Sequence, residues 1–236
     1  MINKFLIVVI IVLIYFLYRY MTKDYNRLTS LTSAKTLQKI EASELPYDNN
    51  GNNVNFTYST WFFIDDWNYK YGEKKIIFGR MADLDAVTSN ACPSLTLHPI
   101  NNVATIDIAI SSENTQLPLM HVVEIPNIPI QRWVNLTMST NTGVLDVYMD
   151  GKLIRTSLLP GVPMVSTNAP IYITPLGGFS GWTSNFEYWP NSIGPNEAWK
   201  IYRNGYGGNW LSNLFGRYTV KISIMQGDTE ESSVTI

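Results

Sequence analysis

The segment from Asp146 to Arg155 constrains the fold more than any other stretch of this sequence. Apolar and polar residues alternate on both sides of Asp150-Gly151, which is the pattern of strands that each bury one face. Asp-Gly is a favoured pair for a two-residue type I′ turn, because both central residues of that turn need positive φ. The sequence therefore predicts a β-hairpin here. A glycine-rich corner, Gly177–Trp182, follows it and leads into a further strand.

Short strands of this kind recur along most of the chain. Turn signals such as Asn101-Asn102, Pro126-Asn127 and Asn141-Thr-Gly143 separate runs that are rich in β-branched and aromatic residues. Many short strands with little helical periodicity predict an all-β sandwich or barrel. Besides the hairpin, the predicted strands are 56–64, 75–78, 94–97, 103–110, 121–125, 132–138, 171–173, 183–189, 218–224 and 232–236.

One short helix is predicted over Pro195–Tyr202. Proline suits the first helical position, because the N–H that it lacks would have no partner there. Asn204-Gly205 then provides a stop signal.

The composition fits one globular domain with an appendage. The chain has 236 residues, of which 45% are hydrophobic and 15% charged, and its formal net charge is −2. A nearly neutral chain lacks the cationic surface that neutralises phosphates, so we expect no nucleic acid partner. The single cysteine, Cys92, excludes a disulfide within the chain.

The N-terminal segment is predicted to be a transmembrane helix. Residues 2–21 would span about 30 Å as a helix, which matches a hydrocarbon core, and Lys4 and Arg19 would lie at its flanks. A cleaved signal peptide is the alternative, but no small-residue cleavage site follows the apolar run. We therefore predict an anchor at 1–21, a stalk or linker at 22–53 and a folded domain at 54–236. Within the stalk, an edge strand at 36–40 is the alternative to an irregular segment.

The flanking charges predict the orientation of the domain. Lys4 precedes the apolar segment, whereas Arg19 and further cations follow it, so the positive-inside tendency places the domain on the cytoplasmic side. Two N-glycosylation patterns occur, at Asn55 and Asn135. Asn135 falls within a predicted strand, which makes its pattern a chance match, and a glycan on Asn55 would reverse the orientation.

An ordered set of motifs makes the fold more specific. The motifs are Trp61–Tyr69, Asn127–Trp133, Asp150–Thr156, Leu159–Pro163, Tyr172–Phe179 and Pro195–Trp199. In this order the chain resembles laminin-G-like, concanavalin A-like jelly rolls, and more narrowly the membrane-anchored jelly-roll proteins of nucleocytoplasmic large DNA viruses. The resemblance implies a concanavalin A-like jelly-roll β-sandwich. It also implies a place in the internal membrane of a virion or in a host membrane, with the domain facing the capsid.

The sequence offers weak support for catalysis and for metal binding. Glycanases of the superfamily that the chain resembles carry Glu-x-Asp-x-x-Glu on one strand, and this chain lacks that pattern. Glu187 lies in a predicted strand but has no carboxylate two or three residues away. Asp83 and Asp85 form the one Asp-x-Asp and are weak calcium candidates, because calcium usually takes six to eight oxygens. His98, His121 and Cys92 lack the close spacing of zinc ligands.

Aromatic residues in predicted loops are the best candidates for binding. Trp67, Tyr69 and Tyr71 follow the first long strand, and Trp182 stands beside the glycine-rich corner. Loops lie at the surface, so these four are predicted to contact a sugar face or a partner protein. Trp61 and Trp133 fall within strands and are predicted to fill the core.

These features predict a non-enzymatic, single-pass membrane protein without a required cofactor. Its predicted role is structural or scaffolding, through contacts with capsid or other virion proteins and with the lipid bilayer. The alternative is a glycan-binding lectin, with or without calcium, that serves attachment or recognition. A glycoside hydrolase is the third hypothesis.

Overall fold

Strands dominate the computed structural model, which describes residues 10, 12–17, 26–46, 54–83, 91–112, 115–207, 221–226 and 229–235. The strands are β1 (Thr32–Ser33), β2 (Gln38–Ile40), β3 (Phe56–Asp66), β4 (Lys75–Arg80), β5 (Ser94–Leu97), β6 (Val103–Ser112), β7 (Thr115–Pro126), β8 (Trp133–Asn141), β9 (Val144–Met149), β10 (Lys152–Leu158), β11 (Val162–Pro163), β12 (Ile171–Ile173), β13 (Ser180–Trp189), β14 (Lys221–Gln226) and β15 (Thr229–Thr235). Helix α1 is Pro195–Asn204, and 3-10 turns cover Ala42–Glu44 and Pro175–Gly177.

The strands form two antiparallel sheets that share one core. Sheet A has the order β1-β13-β3-β8-β9-β10. Sheet B has the order β11-β6-β5-β4-β12-β2, and β7 also pairs with β6. The chain passes back and forth between the sheets, which confirms the predicted jelly-roll sandwich with one short helix. Strands β14 and β15 pair with each other as a separate hairpin.

Alternation along the strands builds the core between the sheets. On β3 every second side chain from Phe56 to Ile64 is buried towards the core, and all of these are apolar except Thr60. Strand β6 supplies the facing set from sheet B. Each buried side chain of this size contributes about 1.5–3 kcal/mol. The central members are Phe56, Tyr58, Phe62 and Ile64 of β3 and Ala104, Ile106, Ile108 and Ile110 of β6.

The predicted hairpin and helix are both confirmed. Strands β9 and β10 are joined at Asp150 and Gly151, whose φ values are 50° and 74°, as a type I′ turn requires. Helix α1 begins at Pro195 and ends at Asn204, and Gly205 follows it with a φ of 74°. The helix lies close to the hairpin, since a Cβ on Gly151 would be 2.9 Å from the ring of Trp199.

The sheets begin earlier in the chain than the predicted boundary at residue 54. Strand β1 pairs with β13 and β2 pairs with β12, although both lie in the segment predicted to be a stalk. Ala34 and Ile40 also join the core. Strand β2 falls within 36–40, where the sequence also allows an edge strand. Strand β1 has only two residues, so the polar composition around it gave no signal.

The predicted anchor, residues 1–21, lies largely outside the described residues. Ile10 and residues 12–17 are described, and they are helical and exposed. Over the ranges of the chain given above, the structure contains no helix with the length and apolar character needed to span a bilayer.

Candidate ligand-binding site

A row of three aromatic residues crosses the outer face of sheet A, the face directed away from the core. Phe63 of β3 pairs with Trp182 of β13 on one side and with Trp133 of β8 on the other. Because side chains alternate along a strand, Phe63 points away from the core that contains Phe62 and Ile64. Three adjacent strands thus place three rings side by side.

A cavity of about 380 Å³ opens over this row. Its lining consists of Trp182, Phe63, Trp133, Tyr206 and Leu31, and we call it the aromatic pocket. Trp182 is 47% exposed, while Phe63 and Trp133 are half-buried. Tyr206 stacks on Trp133, with ring centroids 4.4 Å apart and planes within 10°. The volume lies within the range of about 300–1,000 Å³ for small-molecule sites.

The close approach of β13 to β3 beside the pocket depends on Gly181. Its φ is 151°, and a Cβ at this position would overlap the backbone oxygen of Phe63. Glycine is therefore required next to Trp182. This requirement explains why the glycine-rich corner Gly177–Trp182 has a glycine at position 181.

Residues 190–207, which include α1 and which we call the strap, cover the outer face of β3, β8 and β13 beside the pocket. At its C-terminal end, Ser184 Oγ donates to Tyr206 O at 2.7 Å and Asn185 Nδ2 donates to Gly205 O at 2.7 Å. Within the strap, Tyr202 stacks on Trp61 with ring centroids 5.6 Å apart. Trp61 is therefore buried as predicted, although it lies on the outer face.

Hydroxyl groups of sheet A hold the N-terminal end of the strap. Thr57 Oγ1 donates to Asn191 O at 2.8 Å, and Ser139 Oγ accepts from Ile193 N at 2.9 Å. Beside them, Asn135 Nδ2 donates to Ser59 Oγ at 3.0 Å. Asn135 is fully buried, so the folded domain cannot present it for glycosylation.

The three predicted loop aromatics lie outside the lining of the aromatic pocket. Trp67 is half-buried and packs against the core. Tyr69 donates to Gly177 O at 3.2 Å and lies under Lys35, whose Nζ is 4.6 Å from the ring centroid. Tyr71 is exposed. The structure thus brings Tyr69 to the glycine-rich corner and places Trp182, alone of the four predicted residues, in the pocket.

The calcium candidates are only partly described. Asp83 is exposed, and Asp85 lies outside the described residues. Within the part of the chain that the structure describes, no three His, Cys, Asp or Glu side chains form a group that could hold a metal ion.

The histidines and the cysteine make local contacts instead. His98 Nδ1 accepts from the backbone N–H groups of Ile100 and Asn101, and His121 Nε2 lies 3.0 Å from Ser157 Oγ. Cys92 is buried, and this burial raises the pKa of its thiol to about 12.

Four pocket residues were missed by the sequence analysis: Leu31, Phe63, Trp133 and Tyr206. Trp133 was predicted to fill the core, and it is half-buried on the opposite face of its sheet. A usable signal existed for Phe63, since strict alternation with Phe62 puts it on the outer face. No local signal places Leu31 or Tyr206 there, because both come from segments outside the three central strands.

The comparisons with known proteins agree with this architecture. A family model of the laminin-G type, described as the concanavalin A-like lectin/glucanases superfamily, matches residues 39–189. The chain belongs to this superfamily. Among curated protein sequences, none matches the chain.

Solved structures of similar fold include binding domains of botulinum neurotoxins. The receptor binding domain of the C/D mosaic serotype has 14% identity and a TM-score of 0.53, over 76% of this chain and 45% of that one. The binding domain of neurotoxin DC in complex with SialylT has 14% identity and a TM-score of 0.50, over 75% and 46%. The same domain in complex with rat synaptotagmin II has 14% identity and a TM-score of 0.50, over 76% of this chain and 47% of that one.

This chain spans about half the length of these neighbours. At such identities the likeness shows the jelly-roll fold alone. The narrower resemblance to membrane-anchored viral proteins stays a prediction.

Proposed function

We propose that this superfamily member is a non-catalytic binding module that takes a saccharide in the aromatic pocket. The observation that carries the proposal is the row of Trp182, Phe63 and Trp133 beneath a cavity of about 380 Å³, with Trp182 47% exposed. Large aromatic side chains that stay exposed at a concave surface are typical of binding sites. Sugar rings present apolar C–H faces, and flat indole rings match these faces in shape.

The structural neighbours support a binding role. Their names describe receptor-binding and binding domains, one solved with SialylT and another with rat synaptotagmin II. One of these domains was thus solved with a glycan and another with a protein, and this chain matches about half of each domain. The exposed indole of Trp182 favours the glycan for this chain.

The lining of the pocket supports binding over hydrolysis. Glycoside hydrolysis needs two carboxyl groups on either side of the scissile bond, and the five described lining residues include no carboxylate. Glu187 of β13 is buried and stands opposite Ser59 in the region that the strap covers. We therefore propose that the module releases its saccharide unchanged.

A matched pair of tryptophan variants tests the saccharide proposal. The full chain in detergent is applied to a glycan array, and the bound glycan is then titrated against Trp182→Ala and Trp199→Ala. Trp199 is the control because it is 43% exposed but lies outside the pocket lining. We expect Trp182→Ala to weaken binding about tenfold or more, which is about 1.4 kcal/mol, and Trp199→Ala to change it less than twofold.

Two further outcomes of the same titration are informative. Binding is expected to survive EDTA, because the described lining offers no carboxylate for calcium. Equal affinities of the wild type and Trp182→Ala, or the absence of any bound glycan, would overturn the proposal.

The second candidate is the predicted scaffolding role of a membrane-anchored virion component. Its support is the outer edge of sheet A, where β10 has β9 as its one partner among the described strands. Leu153, Ile154 and Leu158 of β10 are all exposed, and an apolar edge strand is a ready surface for protein contact. Here we propose that residues 1–21 anchor the chain in a virion or host membrane, with the domain on the cytoplasmic, capsid-facing side.

Purified virions treated with detergent distinguish the scaffolding role from saccharide binding. A scaffold is expected to co-purify with capsid proteins in stoichiometric amounts, and Leu158→Lys is expected to release them. A protein that separates from the capsid in detergent but still binds its glycan would contradict the scaffolding role and leave the saccharide proposal standing.

A further inference from the structure

On the outer face of sheet A, the row of Trp182, Phe63 and Trp133 is open to solvent, and the neighbouring row towards the strap is covered. The row next to the pocket consists of Ser184, Trp61 and Asn135, paired across the same three strands. These residues are between 0% and 5% exposed. The following pair, Ser59 and Thr137, is fully buried. A ligand that lies on the open row therefore cannot continue along the sheet in this direction.

The ring of Tyr206 forms a wall between the open row and the covered row. Tyr206 covers one face of Trp133 at 4.4 Å and lies 6.0 Å from Trp61, measured between ring centroids. Tyr206 is itself fixed, because its backbone oxygen accepts from the buried Ser184. The ring thus occupies the position at which the next sugar of a longer chain would stack.

The side of the row that faces away from the strap is polar and exposed. Asp65 follows β3 residue Ile64, and Gln131 donates its backbone N–H to Ile64 O at 2.7 Å. Both Asp65 and Gln131 are exposed, as is Arg132 before Trp133. A chain that leaves the pocket on this side meets hydrogen-bonding groups and solvent, whereas on the other side it meets Tyr206.

We infer that the aromatic pocket receives the end of a saccharide chain and excludes positions within a chain. The inference rests on the proposed function, since it specifies which part of a glycan the same pocket takes. The cavity, at about 380 Å³, lies near the lower end of the small-molecule range and has room for a mono- or disaccharide. The terminal ring lies on Trp182 and Phe63 against Tyr206, and the remainder of the glycan leaves past Asp65 and Gln131.

An array of paired glycans tests this inference. Each sugar is printed twice, once as the terminal residue and once capped by a further residue, and the full chain in detergent is applied to both. We expect binding to the uncapped members at least tenfold tighter than to their capped partners, with the free monosaccharide as a competitor. Equal binding to capped and uncapped members overturns the inference but leaves the proposed function standing. Binding to neither member overturns both.

A strap variant provides a second, independent measurement. Tyr206→Ala removes the wall, so the capped glycans are expected to gain affinity relative to the uncapped ones by about tenfold. Trp199→Ala is the control, because it removes an exposed ring of α1 that does not line the pocket, and the ratio should stay within twofold. An unchanged ratio in Tyr206→Ala would show that this ring does not set the preference for chain ends.

Discussion

Gly151 illustrates how a single residue can meet two structural demands. Its φ of 74° closes the β9–β10 turn, and its missing Cβ leaves room for α1. An added Cβ would lie 2.9 Å from the Trp199 ring and 3.0 Å from Cβ of Tyr202. Gly143, in the turn between β8 and β9, has a φ of 84° but no neighbour within 4 Å of an added Cβ.

These two glycines form a matched pair for a stability measurement. Gly151→Ala is expected to lower the free energy of unfolding by about 2–4 kcal/mol, from backbone strain together with overpacking against α1. Gly143→Ala should cost about 1–2 kcal/mol, since strain acts alone there. Urea denaturation of the full chain in detergent provides both values. Equal losses would contradict the packing of α1 against the turn.

Cys92 predicts how stability changes at alkaline pH. An unfolded thiol ionises from about pH 9, whereas burial keeps the folded thiol protonated up to a pKa of about 12. The folded state therefore holds more protons in this window, and the free energy of unfolding falls as pH rises by up to about 1.4 kcal/mol per unit. This contribution to stability is fully present below about pH 9.

The measurement is urea denaturation at intervals from pH 8 to 11, for the wild type and Cys92→Ala. The variant is expected to lose stability less steeply above pH 9. Some slope should remain, because burial also raises the pKa of Tyr58. Identical slopes in the two proteins would contradict the pKa assigned to the buried thiol.

At the scale of elements, the strap depends on buried hydroxyl groups of sheet A. Ser139→Ala removes the acceptor for Ile193 N and should cost about 1–2 kcal/mol, because a partly buried donor loses its partner. Hydrogen exchange is expected to quicken across residues 191–204 and to stay unchanged in β12. Ser111→Ala is the control, since its exposed hydroxyl donates to Val162 O at 3.4 Å. Unaltered exchange in the strap would argue that Ser139 does not hold it.

Elements with local signals were predictable from the sequence, and those that depend on long-range pairing were not. Asp150-Gly151 fixed its hairpin through turn chemistry, and Pro195 and Gly205 marked the ends of α1. By contrast, β1 lies at the edge of sheet A because it pairs with β13, which comes about 150 residues later by sequence number. The aromatic pocket combines both kinds of element. Its exposed Trp182 was predicted, but the register that sets Phe63 and Trp133 beside it was not.

At the scale of the whole molecule, the predicted orientation can be tested through Asn55. This residue lies just before β3, and its Oδ1 accepts from Thr142 N at 2.8 Å. A domain on the cytoplasmic side never meets the glycosylation machinery, so we expect no N-linked glycan on the protein made in eukaryotic cells. Asn135 is buried and cannot confuse the result. A mobility shift that peptide N-glycosidase removes and Asn55→Gln abolishes would place the domain on the opposite side.

Leu31 has a consequence for where the pocket can work. Leu31 lies ten positions after Met21, the end of the proposed anchor, and a fully extended chain of that length covers about 35 Å. With the anchor in a bilayer, the pocket would lie within about 35 Å of the membrane surface. If the proposed anchor holds, a partner fixed farther away would lie beyond the reach of the pocket, and its targets would be molecules in the same bilayer or in a shell pressed against it.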